Sequence, residues 1–129
     1  MKKLMIALGL AGPLEVTCAI WAYGLDYFGL VAGLVLWLWA SMPLALAGLL
    51  GTKVLREDGS RRILAAGMVL ALAAATYLHV DALLAFEAGT EPMAGASVFT
   101  GLFMQYPLLL LALAVAAAKN RYSNSARKD

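Results

Sequence analysis

The stretch ILAAGMVLALAAATYLHVDALLAF, residues 63–86, decides the fold of this chain. As a helix it is long enough to cross a hydrocarbon core of roughly 30 Å at about 1.5 Å per residue. Its alanines and leucines are good helix formers. In lipid, every backbone amide must be satisfied inside its own segment. We therefore expect a transmembrane helix that carries the polar residues His79 and Asp81 near one end.

Three more apolar runs flank this one, at residues 4–23, 28–50 and 98–118. The chain is 63% hydrophobic and 14% charged, with a mean hydropathy of +0.81. Soluble domains carry about 25% charged residues, and a chain of this size buries only about two-thirds of its surface. The sequence therefore predicts an all-α integral membrane protein: a single four-transmembrane-helix bundle over residues 1–129, with residues 119–129 as a tail.

The distribution of basic residues predicts the orientation. All 10 Lys and Arg residues lie in residues 2–3, in the loop 53–62 or in the tail. The first loop, GLDY at 24–27, and the third, EAGTEPMAGAS at 87–97, contain none. The positive-inside rule then predicts that both termini are cytoplasmic. We expect a multi-pass protein of a bacterial-type cytoplasmic (inner) membrane.

Three acidic residues lie on the opposite, predicted outer face: Asp26, Glu87 and Glu91. An acidic surface raises the local concentration of cations. Alternatively, acids are simply what remains outside when basic residues are kept inside.

The N-terminus, MKKLMIALGLAGPLEVTCA, also invites a signal-peptide interpretation, with Cys18 as a lipoprotein cysteine. Glu15 lies inside the would-be apolar region, and Thr17 stands where a small Gly or Ala would precede Cys18. We expect a retained first helix.

Helix geometry predicts a shared layer of polar residues in the outer leaflet. At about 1.5 Å per residue, Asp81 lies about 7 Å deep, and His79, Gln105 and Glu15 about 10–12 Å deep. Such groups usually face the bundle interior or a wet cavity and mark function. The candidate ligand- or proton-binding residues are Glu15, Tyr77, His79, Asp81, Gln105 and Tyr106.

Glu15 lies nearly at the centre of its helix, two residues after Pro13. A proline commonly kinks a helix, and a carboxylate beside a kink suits a protonatable or cation-binding position. The alternative is a neutral glutamate that hydrogen-bonds a neighbouring helix.

His79, the only histidine, can bind protons, metals or haem iron. It is the candidate metal ligand, although one histidine excludes an all-His site in one chain. A single interhelical hydrogen bond is the alternative. Asp81 lies about 200° around the helix from His79, so both cannot point at one ligand, and Asp81 alternatively reaches the headgroups. Tyr77 and Asp81 share a face.

The second helix carries Gly29, Gly33 and Trp37 at a spacing of four residues. Small residues at this spacing let helices approach closely, so we expect a helix interface here. Trp37 lies near mid-membrane, where its indole N–H needs an acceptor or faces a partner.

The segment LAGPLEV, residues 10–16, resembles the first helix of the small multidrug resistance transporters, in which a glutamate at a similar place binds substrate or protons. That family's later proline-glycine and aromatic-rich pattern is not found, and the bias of basic residues is much stronger here. Because the resemblance covers only this short segment, no residue role is carried over.

The sequence has no CxxC, HExxH, GxSxG, P-loop or dinucleotide motif, so we expect no enzyme, no cofactor and no nucleic-acid partner. One hypothesis is a transporter or channel subunit that binds a cation, proton or protonatable solute. Its partners would be the lipid bilayer and further copies of the chain. The alternative is a non-catalytic accessory or assembly subunit of a larger membrane complex. A redox role with haem or quinone at His79 is a third option.

Overall fold

The computed structural model of the protein describes residues 1–23, 29–89 and 94–125. They form the helices α1 (Lys2–Tyr23), α2 (Leu30–Lys53), α3 (Asp58–Glu87) and α4 (Ala94–Ser125). Four helices are long and apolar enough to cross a membrane. The predicted four-helix architecture is confirmed, and it indicates a multi-pass membrane protein. The predicted loop residues Asp26 and Glu91, and the tail residues from 126 onward, lie outside the described residues.

Helices α3 and α4 extend well beyond their apolar runs. Helix α3 begins at Asp58, ahead of the apolar run at residue 63. Helix α4 begins at Ala94, inside the predicted third loop, and continues past Ala118 to Ser125. Hydropathy marks the part of a helix that suits lipid rather than the helix ends, and no Gly or Pro stops α4 after residue 118. Much of the predicted tail is therefore helical.

The helices form two hairpins, α1 against α2 and α3 against α4. The hairpins join through contacts of α1 with α3, α2 with α3, and α2 with α4. Within the described ranges, α1 and α4 do not contact each other. Because chain direction alternates, α1 and α3 run parallel, which sets the middle of α1 beside the later part of α3.

Glycines bring the helices of each hairpin close together. A Cβ added to Gly48 of α2 would lie 2.8 Å from the carbonyl oxygen of Met5 and 3.0 Å from the Cα of Gly9. A Cβ on Gly67 of α3 would collide with the Cβ of Ala112 on α4. Small residues favour helix association in membranes because they allow this close packing.

The larger apolar core surrounds these glycine contacts. It includes the fully buried Met5, Leu44, Leu64 and Met68. A smaller cluster lies nearer the other end of α1, around Val16 and its neighbours. Large apolar side chains cover the outer surface, as lipid contact requires.

A polar junction closes the end of the bundle where α2 passes into α3. The side-chain oxygen Oδ1 of Asn120 accepts hydrogen bonds from the backbone N–H groups of Arg56 and Glu57, at 3.1 and 3.2 Å. Arg61 donates to the carbonyl of Gly51 at 3.3 Å and pairs with Asp58 at 2.8 Å. These contacts fix the start of α3 against α4. The register of the two helices then determines which polar residues lie level with each other farther along them.

Candidate functional site

The centre of the site is a hydrogen-bonded pair of Glu15 on α1 and His79 on α3. Nδ1 of His79 lies 3.0 Å from Oε1 of Glu15, and the hydroxyl of Thr76 donates to the same oxygen at 3.2 Å. The side chains of Glu15 and His79 are 12% and 9% exposed. Two ionisable groups are thus withdrawn from the surface within helices of transmembrane length, where an unpaired charge would be costly.

Local helix geometry explains why these residues meet. Thr76 and His79 are three residues apart, so they share the face of α3 that points at α1. On α1, the hydroxyl of Thr17 donates to the carbonyl of Pro13 at 2.7 Å. The indole N–H of Trp37 on α2 donates to the oxygen of Thr17 at 2.9 Å. The helical turn that contains Glu15 is therefore tied to α2 while its carboxylate faces α3.

Each member of the pair keeps a buried atom without a hydrogen-bond partner: Oε2 of Glu15 and Nε2 of His79. Buried polar atoms are usually paired, so each such exception calls for an explanation. A site that takes up a proton or a ligand requires unused acceptors of this kind.

A cavity of about 200 Å³, the α1–α3 cavity, lies directly beside the pair. Its walls are Glu15, Cys18, Ala19, Ala22, Thr76, His79, Val80 and Leu83. The wall is apolar apart from Glu15, Thr76, His79 and the Cys18 thiol. The cavity can therefore hold a small molecule whose polar part contacts the pair and whose remainder is apolar.

Two more buried polar side chains belong to the same level of the bundle. Ser41 of α2 and Gln105 of α4 are 6% and 2% exposed, and both Oγ of Ser41 and Oε1 of Gln105 are unpaired. Ser41 lies about one helical turn after Trp37 in α2, and Trp37 donates to Thr17 of α1. Because α1 and α2 are antiparallel, Ser41 lies level with Glu15. We call Glu15, Ser41, Thr76, His79 and Gln105 the polar layer.

The register of α3 against α4 gives the level of Gln105. Gly67 faces Ala112, and the two helices are antiparallel neighbours. Gln105 lies seven residues before Ala112 in α4, about 10 Å along the helix axis. The same distance after Gly67 in α3 reaches the turn that precedes Thr76, so Gln105 lies opposite that turn. All four helices therefore contribute to the polar layer.

The other predicted site residues are not brought into this layer. Tyr77 is 70% exposed, and Asp81 is exposed on the side of α3 away from His79, as their spacing requires. The hydroxyl of Tyr106 donates to the backbone carbonyl of Trp39 at 3.3 Å, so this tyrosine links α4 to α2.

The predicted helix-interface residues line a different cavity. Gly33 and Trp37 border an apolar space of about 300 Å³ between α1 and α2, together with Trp21. Gly29 precedes α2 with a φ of 70°, and a Cβ on it would contact nothing within 4 Å of the described structure. Close contacts of α1 with α2 are described at Gly9 and Gly48.

Sequence reasoning missed Thr76 and Ser41 as site residues. Thr76 stands three positions before His79, and this shared helix face was the available signal. Ser41 stands on the Gly33–Trp37 stripe but carries no charge, so nothing in the sequence separated it from a packing serine.

His79, the candidate metal ligand, has Glu15 as a possible co-ligand at 3.0 Å. Among the described residues, no group of three or more His, Cys, Asp or Glu side chains could hold a metal ion. The pair alone offers one nitrogen and one carboxylate, fewer ligands than a structural or catalytic metal site uses.

No protein-family model matches this chain, and no curated protein or solved structure is similar enough to count as a match. The function of the site therefore has to be inferred from its own geometry.

Proposed function

We propose that this chain is a small transporter or channel subunit of a cytoplasmic (inner) membrane, with Glu15 and His79 as its binding site for a cation, a proton or a protonatable solute. The observation that carries the proposal is the buried Glu15–His79 pair beside the α1–α3 cavity. Ionisable side chains inside transmembrane segments typically mark substrate or proton pathways.

The arrangement of the hairpins supports movement at this site. The helices within each hairpin contact each other far more extensively than the two hairpins contact one another. The pair spans this sparser boundary, since Glu15 belongs to the first hairpin and His79 to the second. Rocking of one rigid unit against another around a fixed site is a common transport mechanism. Binding or release of a cation at the pair would change the attraction between the hairpins.

The proposal includes an orientation and an assembly. The distribution of Lys and Arg favours cytoplasmic termini, with the polar layer in the outer half of the membrane. Four helices enclose little space between them, so a permeation path would use more than one copy of the chain.

Proton and cation flux into proteoliposomes tests the proposal, with a pH-sensitive dye inside the vesicles. We expect Glu15→Gln to abolish flux while the protein still inserts and assembles. The matched control is Glu87→Gln, the same chemical change at an exposed glutamate at the end of α3, which should leave flux unchanged. Equal flux in wild type and Glu15→Gln would overturn the proposal.

Native mass spectrometry of the protein purified in nanodiscs distinguishes the proposed transport function from the alternative accessory function. A homo-oligomer is the expected result. A stoichiometric larger protein partner, combined with normal function of Glu15→Gln, would make this chain an accessory or assembly subunit.

A further inference from the structure

The hydrogen-bond roles at the Glu15–His79 pair restrict what can bind there. Oε1 of Glu15 already accepts from Thr76, and an ionised carboxylate is only an acceptor. A neutral His79 must then donate its Nδ1–H to Oε1. Its Nε2 is consequently an acceptor, since neutral imidazole has one donor and one acceptor nitrogen. The pair therefore leaves two unpaired atoms, Oε2 and Nε2, which are both acceptors.

The rest of the polar layer does not correct this imbalance. The unpaired atom of Gln105 is its carbonyl oxygen, another acceptor, and Ser41 supplies a single hydroxyl. Among the described residues, the buried unpaired atoms of the layer are thus three acceptors and one hydroxyl. With Glu15 ionised and His79 neutral, the layer is negatively charged and offers one hydroxyl donor against three acceptors. It is then complementary to a ligand that is positive and donates several hydrogen bonds.

We propose that the ligand of this site is a small primary ammonium ion, whose N–H groups donate to Glu15 and His79 and whose alkyl part occupies the α1–α3 cavity. This inference rests on the function proposed above and names its substrate class. An ammonium group combines a positive charge with several N–H donors. A quaternary ammonium has the same charge but no donor, and an anion would meet only acceptors and a carboxylate.

The α1–α3 cavity suits the alkyl part of such an ion. Its volume is about 200 Å³, and Ala19, Ala22, Val80 and Leu83 supply apolar walls beside the pair. A chain of a few methylene groups fits this space, and burial of its apolar surface favours binding.

Protons and the ammonium ion compete for the same site. A proton on Nε2 turns this acceptor into a donor and makes His79 cationic, so it repels the ligand. Of the other described titratable groups near His79, Cys18 of α1 lines the cavity, Asp81 of α3 faces away, and Tyr106 of α4 is bonded to Trp39. The proposed ligand therefore binds the form of the site in which His79 is neutral.

The test uses the full-length protein in nanodiscs, labelled with ¹⁵N-histidine. Because His79 is the only histidine, its two ring nitrogens give an unambiguous NMR spectrum. The probes are n-butylammonium and n-butyltrimethylammonium, which share charge and alkyl chain and differ in N–H donors. We expect n-butylammonium to shift the Nε2 resonance to that of a hydrogen-bonded nitrogen and to bind about tenfold or more tightly than the quaternary ion, a factor that corresponds to about 1.4 kcal/mol.

The variant Glu15→Asp keeps the charge but shortens the reach, and it should weaken n-butylammonium binding. Glu87→Gln should bind like wild type. Equal affinity for both probes, or no shift of Nε2 with n-butylammonium, would overturn the proposed ligand class. Proton flux that depends on Glu15 without n-butylammonium binding would retain the transport function and refute this ligand. Binding of n-butylammonium without any flux would support this ligand and refute the transport function.

Discussion

The two halves of the bundle are packed by different means. In the glycine-packed half, defined by Gly9, Gly48, Gly67 and Ala112, the backbones touch and the largest apolar core is fully buried. In the half that contains the polar layer, hydrogen bonds of Trp37, Thr76 and His79 join the helices. Cavities border both halves, one of about 200 Å³ beside Gly9 and Gly48 and one of about 200 Å³ beside Glu15 and His79. The first half is therefore distinguished by close glycine packing, and the second half by the polar groups suited to function.

The comparison predicts the largest loss of stability for a change that splits the polar pair. His79→Leu leaves the buried carboxylate of Glu15 without its partner, and we expect the free energy of unfolding to fall by about 3–5 kcal/mol. The double variant Glu15→Leu/His79→Leu should recover wild-type stability to within about 1 kcal/mol, since no buried charge remains. Unfolding in mixed detergent micelles measures both. A double variant as unstable as the single one would show that the pair is structural.

A change in the glycine-packed half should have the next largest effect. Gly67→Ala sets a methyl group against Ala112, and we expect a loss of about 1–3 kcal/mol from overpacking. Adding Ala112→Gly should restore stability by making room for the methyl group. Flux per folded molecule should stay at the wild-type level throughout. Reduced flux in the stable double variant would contradict the division between the two halves.

The polar junction at the start of α3 should contribute less to the free energy of unfolding. Asn120→Ala removes the acceptor for the backbone N–H groups of Arg56 and Glu57, and we expect a loss of about 1–2 kcal/mol. Asn120→Asp keeps an acceptor and should be close to wild type. Hydrogen exchange of these amide groups reports the change directly, and unchanged exchange in Asn120→Ala would show that the bonds do not form in the membrane.

The smallest effect is expected at the link between α1 and α2. Trp37→Phe removes the donor to Thr17 but leaves the bond of Thr17 to Pro13 intact. Interhelical hydrogen bonds in membranes contribute about 0.6 kcal/mol on average, so stability should fall by about that amount. A loss several times larger, measured by the same unfolding titration, would mean that Trp37 supports the polar layer through packing.

Much of the fold followed from the sequence because hydropathy is a local property. The apolar run at residues 63–86 predicted α3, and three similar runs predicted the other helices. The ends of α3 and α4 were harder to predict, because Asp58 and residues 119–125 are helical without being apolar. The glycine contacts were missed as well. The predicted interface lay on the stripe that begins at Gly29, and the structure describes a further close contact at Gly48.

The sequence by itself determined four membrane-length helices and the positions of the polar residues along them, since chain length and a fixed rise per residue suffice for both. It selected Glu15, His79 and Gln105 as polar residues at similar depth. Only the tertiary structure decided that Glu15 faces His79, that Thr76 joins them, and that Asp81 does not. The physical reason is rotation about the helix axis. One residue turns a side chain by about 100°, and that angle is set by the packing of neighbouring helices rather than by the order of residues in any one of them.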